Sequence, residues 1–282
     1  MMRKLFFIAV VGAAASLWLA GCATSPYLGD GKAKSDALLA AQITVAESAI
    51  GNGGPARLIF AGFAMHSQSK AFRSDVLSAE KVALAADPSA VIFKLNNPAL
   101  GQDPDWPFAT AENIERVLRK IGSFARPQDK ILVLLATHGN VNALAVNFSN
   151  QSYPPLNADF LNRAMADLRG KPVMVVMSAC HSGSFLPLLS GPSRILIAAA
   201  AADKSSFGCQ FRSTNTYFID ALFNQPEFIE QSILQLMDKA KVDVDLRERK
   251  HKLSPSSLPE MAVGNAARDW ANQPVKNWMD GR

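Results

Sequence analysis

Short, continuous apolar runs alternate with amphipathic segments along most of the chain. Continuous apolar runs are typical of strands that are covered on both faces, and apolar positions spaced three and four apart are typical of helices that bury one face. This alternation predicts parallel strands with right-handed crossovers and helices on both sides of one sheet. The predicted strands are 57–63, 90–95, 131–137, 143–148, 172–177 and 194–200, and the predicted helices are 35–50, 71–86, 110–121, 157–170, 185–189, 216–223 and 227–244. Residues 253–264 are predicted to form a loop before a late edge segment.

Two short polar motifs follow two of these strands. His138 and Gly139 end the run Ala-Thr-His-Gly after one strand, and Cys180 lies in the run Ser-Ala-Cys-His-Ser-Gly after another. Catalytic residues of open α/β sheets gather at the carboxyl ends of the strands, so we expect both motifs at the same edge. A thiol beside an imidazole is a typical nucleophile and base. The sequence therefore predicts Cys180 as a nucleophile and His138 as its base.

The three cysteines allow a second interpretation. In an oxidising compartment Cys180 and Cys209 could form a disulfide bond, or Cys209 could be a small buried side chain. No cysteine and histidine spacing matches a zinc site, so no structural metal is expected. The serines beside Cys180 do not form a Gly-X-Ser-X-Gly elbow, which argues against a serine hydrolase.

The histidines also leave alternatives open. His138 could be a sheet-edge histidine that is satisfied by the backbone, and His181 is its main rival as the catalytic imidazole. His66 follows the first strand and could reach the same edge, although a histidine in a loop is more often solvated.

The amino terminus has the pattern of a secretory signal. Arg3 and Lys4 precede an apolar stretch. The stretch is short for a membrane span and is followed by polar residues. The run Leu-Ala-Gly-Cys at 19–22 is similar to the lipobox of bacterial lipoproteins, and Ala23 favours the outer membrane. We expect cleavage before Cys22 and acylation of its thiol, which anchors a protein without spanning the bilayer. An ordinary signal peptide or a short span is the alternative.

Composition limits the remaining classes. The chain has 282 residues, 49% of them hydrophobic and 19% charged, as in a globular domain with one core. Its net charge of +5 falls to +3 without the signal segment, which is too mild to indicate a nucleic-acid partner. The predicted division is a signal peptide at 1–21, a lipid-anchored tether and helix at 22–55, and a catalytic domain at 56–282.

The two motifs and their spacing resemble the legumain family of cysteine peptidases, peptidase family C13. A Ser-Ser-aromatic run at 205–207 and an arginine-containing segment at 72–76 resemble its pocket segments. The resemblance covers 56–225, with a weaker match at 258–264. It implies an α/β fold, a caspase-like three-layer α/β/α sandwich with a mostly parallel central sheet, and no cofactor. It implies that Cys180 is the nucleophile and His138 the base. It also implies that the backbone N–H groups of Gly139 and Cys180 donate to the oxyanion, and that the substrate pocket contains Arg73, Ser205 and Ser206.

Two departures bear on specificity. Ser178 stands where animal and plant members of the family carry an acidic residue, and His181 stands where they carry glutamate, so a preference for asparagine is open. Arg73 could equally be a surface residue of its helix. Three functions remain: an envelope-anchored cysteine endopeptidase acting on peptides or proteins, which we favour, a transamidase or peptide ligase using the same pair of residues, and a binding lipoprotein without catalysis.

Overall fold

In the part of the chain that the structure describes, nine strands form two sheets. The computed structural model describes residues 29–50, 55–99, 101–148, 151–210 and 213–280. In chain order the strands are β1 (Leu58–Ala64), β2 (Val91–Asn96), β3 (Lys130–Ala136), β4 (Gly139–Asn140), β5 (Ala143–Phe148), β6 (Gln151–Leu156), β7 (Val173–Ser178), β8 (Arg194–Ala198) and β9 (Glu260–Val263).

The larger sheet is the centre of the fold. Its six strands run in the order β2-β1-β3-β7-β8-β9, and every neighbouring pair is parallel except β8 and β9. The antiparallel β9 closes one edge, but it lies within residues 253–264, which were predicted to be a loop before such a segment. The change of direction in strand order beside β1 and β3 brings the carboxyl ends of central strands together, which is where ligands bind in such sheets.

A small antiparallel sheet extends from the end of β3. It has the order β4-β5-β6, and its third strand was not predicted, because Gln151–Leu156 contains two consecutive prolines. Proline is tolerated there because an edge strand can leave one row of backbone groups unpaired. The sheet is joined to His138, since the Ala145 N–H donates to the His138 carbonyl oxygen at 2.9 Å.

Among the described residues, eight helices flank the central sheet. Their bounds are α1 (Gly29–Ile50), α2 (Lys70–Ala86), α3 (Ala111–Phe124), α4 (Ala158–Ala164), α5 (Leu186–Leu189), α6 (Tyr217–Phe223), α7 (Ile233–Lys250) and α8 (Arg268–Asn272), as far as the described ranges show. Single turns of 3-10 helix lie at Ala166–Leu168, Ser182–Phe185, Phe228–Glu230, Asn265–Ala267 and Val275–Asn277.

The core has two apolar clusters, one on each face of the sheet. Alternate residues of β1 belong to opposite clusters: Ile59 is in the cluster that includes residues of α1, α3 and α4, and Phe60 is in the cluster that includes residues of α2, α6 and α7. This is the period of two that a strand covered on both faces requires. The predicted three-layer α/β/α sandwich with a mostly parallel central sheet is therefore confirmed.

Local caps explain where several helices begin. The side chains of Ser69, Thr110 and Thr216 accept hydrogen bonds from the first turns of α2, α3 and α6. Helix α7 begins later than predicted, because Glu227 adopts a left-handed conformation with φ of 55° and Ser232 then forms a capping box. Helix α1 begins at Gly29, earlier than the predicted position 35.

The predicted signal peptide and Cys22 lie outside the described residues. Of the helices that the structure describes, none combines the length and the apolar character needed to cross a bilayer.

Candidate active site

The register of two neighbouring strands brings His138 and Cys180 together. In the parallel pair β3 and β7, Ala136 lies opposite Ser178. His138 and Cys180 each follow that pair by two residues, so they leave the sheet side by side at its carboxyl edge. Both residues are half-buried. The structure thus places the predicted nucleophile and base in adjoining turns.

The backbones of the two turns are in contact at Gly139. A Cβ atom built on Gly139 would lie 2.4 Å from the carbonyl oxygen of Cys180 and 3.0 Å from the Cβ atom of Ala179. The first distance is far below a van der Waals contact, so every other residue type would force the turns apart. Glycine is required here by the close approach of the two turns, which the sequence did not predict.

Replacing Gly139 with alanine is therefore expected to displace the His138 turn from the Cys180 turn. We expect kcat/KM to fall by roughly 100-fold, since small misplacements of catalytic groups have effects of this size, and stability to fall by about 1–3 kcal/mol from overpacking. Peptide hydrolysis and urea unfolding measure the two effects. The matched control is Gly191→Ala, where the added Cβ would lie 3.6 Å from the Arg194 side chain. Equal behaviour of the two variants would contradict the contact.

Three polar groups of Ser206 contact the sulfur of Cys180. The Ser206 N–H donates to Sγ at 3.3 Å, the thiol donates to the Ser206 carbonyl oxygen at 3.6 Å, and the Ser206 hydroxyl lies 3.6 Å from Sγ. The same loop is tied to the nucleophile turn, because the His181 N–H donates to the Lys204 carbonyl oxygen at 2.7 Å. Ser205 is exposed beside Ser206. The Ser-Ser run predicted for the pocket therefore adjoins Cys180, the predicted nucleophile.

Aromatic rings hold the imidazole of His138. Its centroid is 4.5 Å from that of His66 and 5.1 Å from that of Phe72, both with nearly perpendicular planes. Burial lowers the pKa of His138 from its ordinary value, which favours the neutral imidazole that a general base needs. Between His138 and the Cys180 thiol, both of which are described, the structure has no hydrogen bond. Such contacts often tighten only when substrate is bound.

The other candidate residues have different surroundings. His181 has a left-handed backbone with φ of 57°, and its Nδ1 lies 3.1 Å from the Ala202 carbonyl oxygen, so its ring faces the neighbouring loop. The Arg73 guanidinium donates two hydrogen bonds to Asp105, at 2.8 and 2.6 Å, and stacks 4.0 Å from the centroid of Trp106. Its predicted contact with substrate would require this exposed ion pair to open.

Cys180 and Cys209 are both free thiols, so the disulfide alternative is not realised in this structure. Burial and the nearby Cys180 raise the pKa of the Cys209 thiol. Groups of three or more histidine, cysteine or acidic residues suited to hold a metal ion are absent from the described part of the chain.

A buried carboxylate beneath the nucleophile strand was not predicted. Asp75 of α2 is fully buried and accepts hydrogen bonds from the Ser178 hydroxyl at 3.1 Å, the Thr216 hydroxyl at 2.9 Å, the Thr216 N–H at 3.0 Å and the Asn215 amide at 3.1 Å. Ser178 stands two residues before Cys180, so this network fixes the end of β7. The available signal was an aspartate among the apolar positions of α2.

The stability of the protein should depend on pH through Asp75. Burial raises the pKa of this carboxyl group from 3.8 to about 7, against the opposing effect of its hydrogen bonds. Between these values the folded state holds a proton that the unfolded state has lost, so this group's contribution weakens as pH rises from 4 to 7, by about 1.4 kcal/mol per pH unit.

Asp75→Asn removes this titration. Its side-chain oxygen can still accept from the Thr216 N–H and the Asn215 amide, and its side-chain NH₂ can donate to the hydroxyls of Ser178 and Thr216. Urea unfolding of both proteins between pH 4.5 and 7.5 tests the prediction. The wild type should lose stability relative to the variant as pH rises, and parallel curves would contradict a raised pKa at Asp75.

The chain is similar to known proteins in its family sequence pattern and in its overall structure. The model of the peptidase C13 family matches residues 115–261, slightly more than half of the chain, including His138, Cys180 and Ser206. The structure is similar to that of caspase-1 from Spodoptera frugiperda, with a TM-score of 0.49 and 16% sequence identity over 74% of this chain and 86% of that chain. No curated protein matches the chain in sequence. By the extent of the family match, the chain belongs to the peptidase C13 family.

Proposed function

We propose that this protein is an envelope-anchored cysteine endopeptidase that works through Cys180 and His138. Membership of the C13 family supports a cysteine-peptidase function. The observation that carries the proposal is the contact between the two turns at Gly139, because it sets a half-buried thiol and a half-buried imidazole at one edge of the sheet. A protein that only binds a partner has no need of this arrangement.

The proposed reaction has two stages. Neutral His138 takes the thiol proton while Sγ of Cys180 attacks the carbonyl carbon of the peptide bond, and the resulting imidazolium returns that proton to the leaving amine. This breaks the C–N bond and leaves a thioester on Cys180. His138 then takes a proton from water, the hydroxide attacks the thioester, and the acid product leaves as the thiol is restored. The N–H groups of Cys180 and Gly139 are the proposed donors to the oxyanion.

The proposed substrate pocket uses Ser206, Ser205 and Arg73. Ser206 is supported by its contacts with the Cys180 sulfur, and Ser205 by its exposed position next to it. Arg73 would act by exchanging Asp105 for an acidic or amide group of the substrate. An exposed pair of this kind contributes only about 0–1 kcal/mol, so the exchange would cost little.

Anchoring at Cys22 is a proposal from the sequence alone. Acylation there would place the domain at the bacterial envelope, facing the periplasm from the outer membrane. Intact mass measurement of the membrane fraction, with Cys22→Ala as the control, tests it. A mature chain beginning at residue 22 with added acyl mass is expected, and an unmodified chain in the soluble fraction would contradict it.

A peptide library tests the enzymatic proposal. The full chain in detergent micelles is incubated with peptides that vary the residue before the cut, and products are read by mass spectrometry in water enriched in ¹⁸O. Cleavage after a narrow residue class with ¹⁸O in the new carboxyl group is expected. Products joined to an added amine would instead establish a transamidase or ligase, and the absence of any product would favour a binding lipoprotein.

A further inference from the structure

The imidazole of His138 is held by rings rather than by a polar side chain. His66 meets it at 4.5 Å between centroids and 89° between planes, and Phe72 meets it at 5.1 Å and 87°. Edge-to-face contacts at these distances are favourable and directional. Within the described ranges, no side chain forms a hydrogen bond with the His138 ring. Ring packing is therefore what the structure offers to orient this histidine.

Strand β5 fixes the spacing between His66 and His138. The Ala145 N–H donates to the His138 carbonyl oxygen at 2.9 Å, and the Asn147 N–H donates to the carbonyl oxygen of Met65 at 2.9 Å. Asn147 also forms an isolated parallel bridge with His66. Because the two donors lie two residues apart on one strand, the ends of β1 and β3 are tied to the same rigid element. The backbone hydrogen bonds of β5 therefore hold His66 and His138 at a fixed separation.

His66 is suited to contact His138 without charge. Its side chain is 9% exposed, and its Nδ1 accepts a hydrogen bond from the Gln68 N–H at 3.4 Å, which assigns the ring proton to Nε2. Burial, with a contribution from His138, lowers the pKa of His66 to about 4. At neutral pH the ring is therefore uncharged and does not oppose the imidazolium that forms on His138 during catalysis.

We propose that His66 is a positioning residue, which with Phe72 holds the imidazole of His138 in the orientation for proton exchange with Cys180. In many catalytic sites a carboxylate or amide hydrogen bond performs this task. Here an edge-to-face ring contact replaces it. This inference rests on the proposed peptidase function, since orientation matters only if His138 transfers protons.

Two substitutions of His66 separate the effect of its ring from the effect of its ring nitrogen. His66→Phe keeps a ring against His138 and removes the acceptor for Gln68, whereas His66→Asn keeps a polar acceptor and removes the ring. We expect His66→Asn to lower kcat by roughly 10–100-fold with KM almost unchanged, as for a misoriented catalytic group. His66→Phe should retain kcat within about 3-fold of the wild type, because it preserves the contact that orients His138. Equal loss in both variants, or no loss in either, would overturn the proposal.

Side-chain NMR of the full chain in detergent micelles provides a readout that does not require activity. With isotope-labelled histidine the protein gives signals from its four histidines, and the His138 signal is assigned with His138→Asn. His66→Asn should change the chemical shift of the His138 ring, since the effect of a neighbouring ring at 4.5 Å is lost. Phe72→Leu, as a separate variant, should also change it, because the second ring contact is lost. An unchanged His138 signal would overturn the ring contact. A wild type that cleaves nothing would instead refute the proposed function while the NMR test still stands.

Discussion

Cys180→Ala is expected to abolish peptide cleavage, with kcat/KM falling by roughly 10⁴-fold or more. Removing the nucleophile of an acyl-transfer enzyme has effects of at least this size, because the remaining groups can only bind and polarise the substrate. The fold should survive, since Cys180 is half-buried and its backbone, which contacts Gly139, is unchanged by the substitution. Initial rates with the best library peptide and urea unfolding of the same preparations measure both effects.

Cys209→Ala is the matched control for this prediction. Cys209 is also a free, half-buried thiol and lies three residues beyond Ser206 in the adjoining loop. It makes none of the hydrogen bonds with Ser206 that the structure gives Cys180. Its variant should retain activity within a few-fold of the wild type. If loss of Cys209 abolished cleavage and loss of Cys180 did not, the nucleophile would have been assigned to the wrong cysteine.

His138→Asn is expected to lower kcat by roughly 10³-fold, within the range for a general acid and base. The control is the same substitution at His181, the rival imidazole. Asparagine tolerates the left-handed backbone found at His181, so His181→Asn should fold well. It should also keep most of the activity, because its ring nitrogen faces the Ala202 carbonyl oxygen. A greater loss at His181 than at His138 would reverse the assignment.

The pH profile adds a second test of His138. The base must be neutral to take the thiol proton, and burial lowers the pKa of His138. A lowered pKa keeps the imidazole neutral at more acidic pH. The acidic limb of kcat/KM should therefore have its midpoint below about 6.5, the ordinary value for histidine. A midpoint well above that value would show that burial does not govern this group.

The sequence predicted that His138 and Cys180 lie at the same edge of the sheet, because the signal for that placement is local. Two continuous apolar runs each end in a polar motif, and parallel neighbours in one sheet bring their carboxyl ends together whatever the loops between them do. The pairing of Ala136 with Ser178 is a direct result of that arrangement. The contact of Gly139 with the Cys180 turn was not predicted, since a glycine directly after the histidine indicates only that some group can approach its backbone closely.

The surroundings of the pair could not be predicted in the same way. Asp75 receives its donors from β7 and from the cap of α6, more than 100 residues away in sequence, and nothing local identifies them. Arg73 is held by Asp105 and Trp106, which come from the loop after β2. Pairwise contacts of this kind depend on tertiary packing, which the local pattern of a single sequence does not reveal.

Some element boundaries differed for identifiable physical reasons. The left-handed backbone of Glu227 excluded it from a helix that its neighbours favoured. The strand at 151–156 was not predicted because it contains two prolines, which a β-sheet accommodates at an edge strand. Trp270 and Trp278 pack edge-to-face in the core, in a terminal segment with no periodic pattern to predict it.

Trapping the acyl-enzyme tests the central claim most directly. The full chain is mixed with the best library peptide, quenched in acid within its first turnovers, digested and read by mass spectrometry. We predict that the fragment containing Cys180 gains the mass of the acyl portion of the peptide and loses it on treatment with hydroxylamine, as a thioester does. Cleavage without any adduct on Cys180, and with an undiminished rate in Cys180→Ala, would contradict the account.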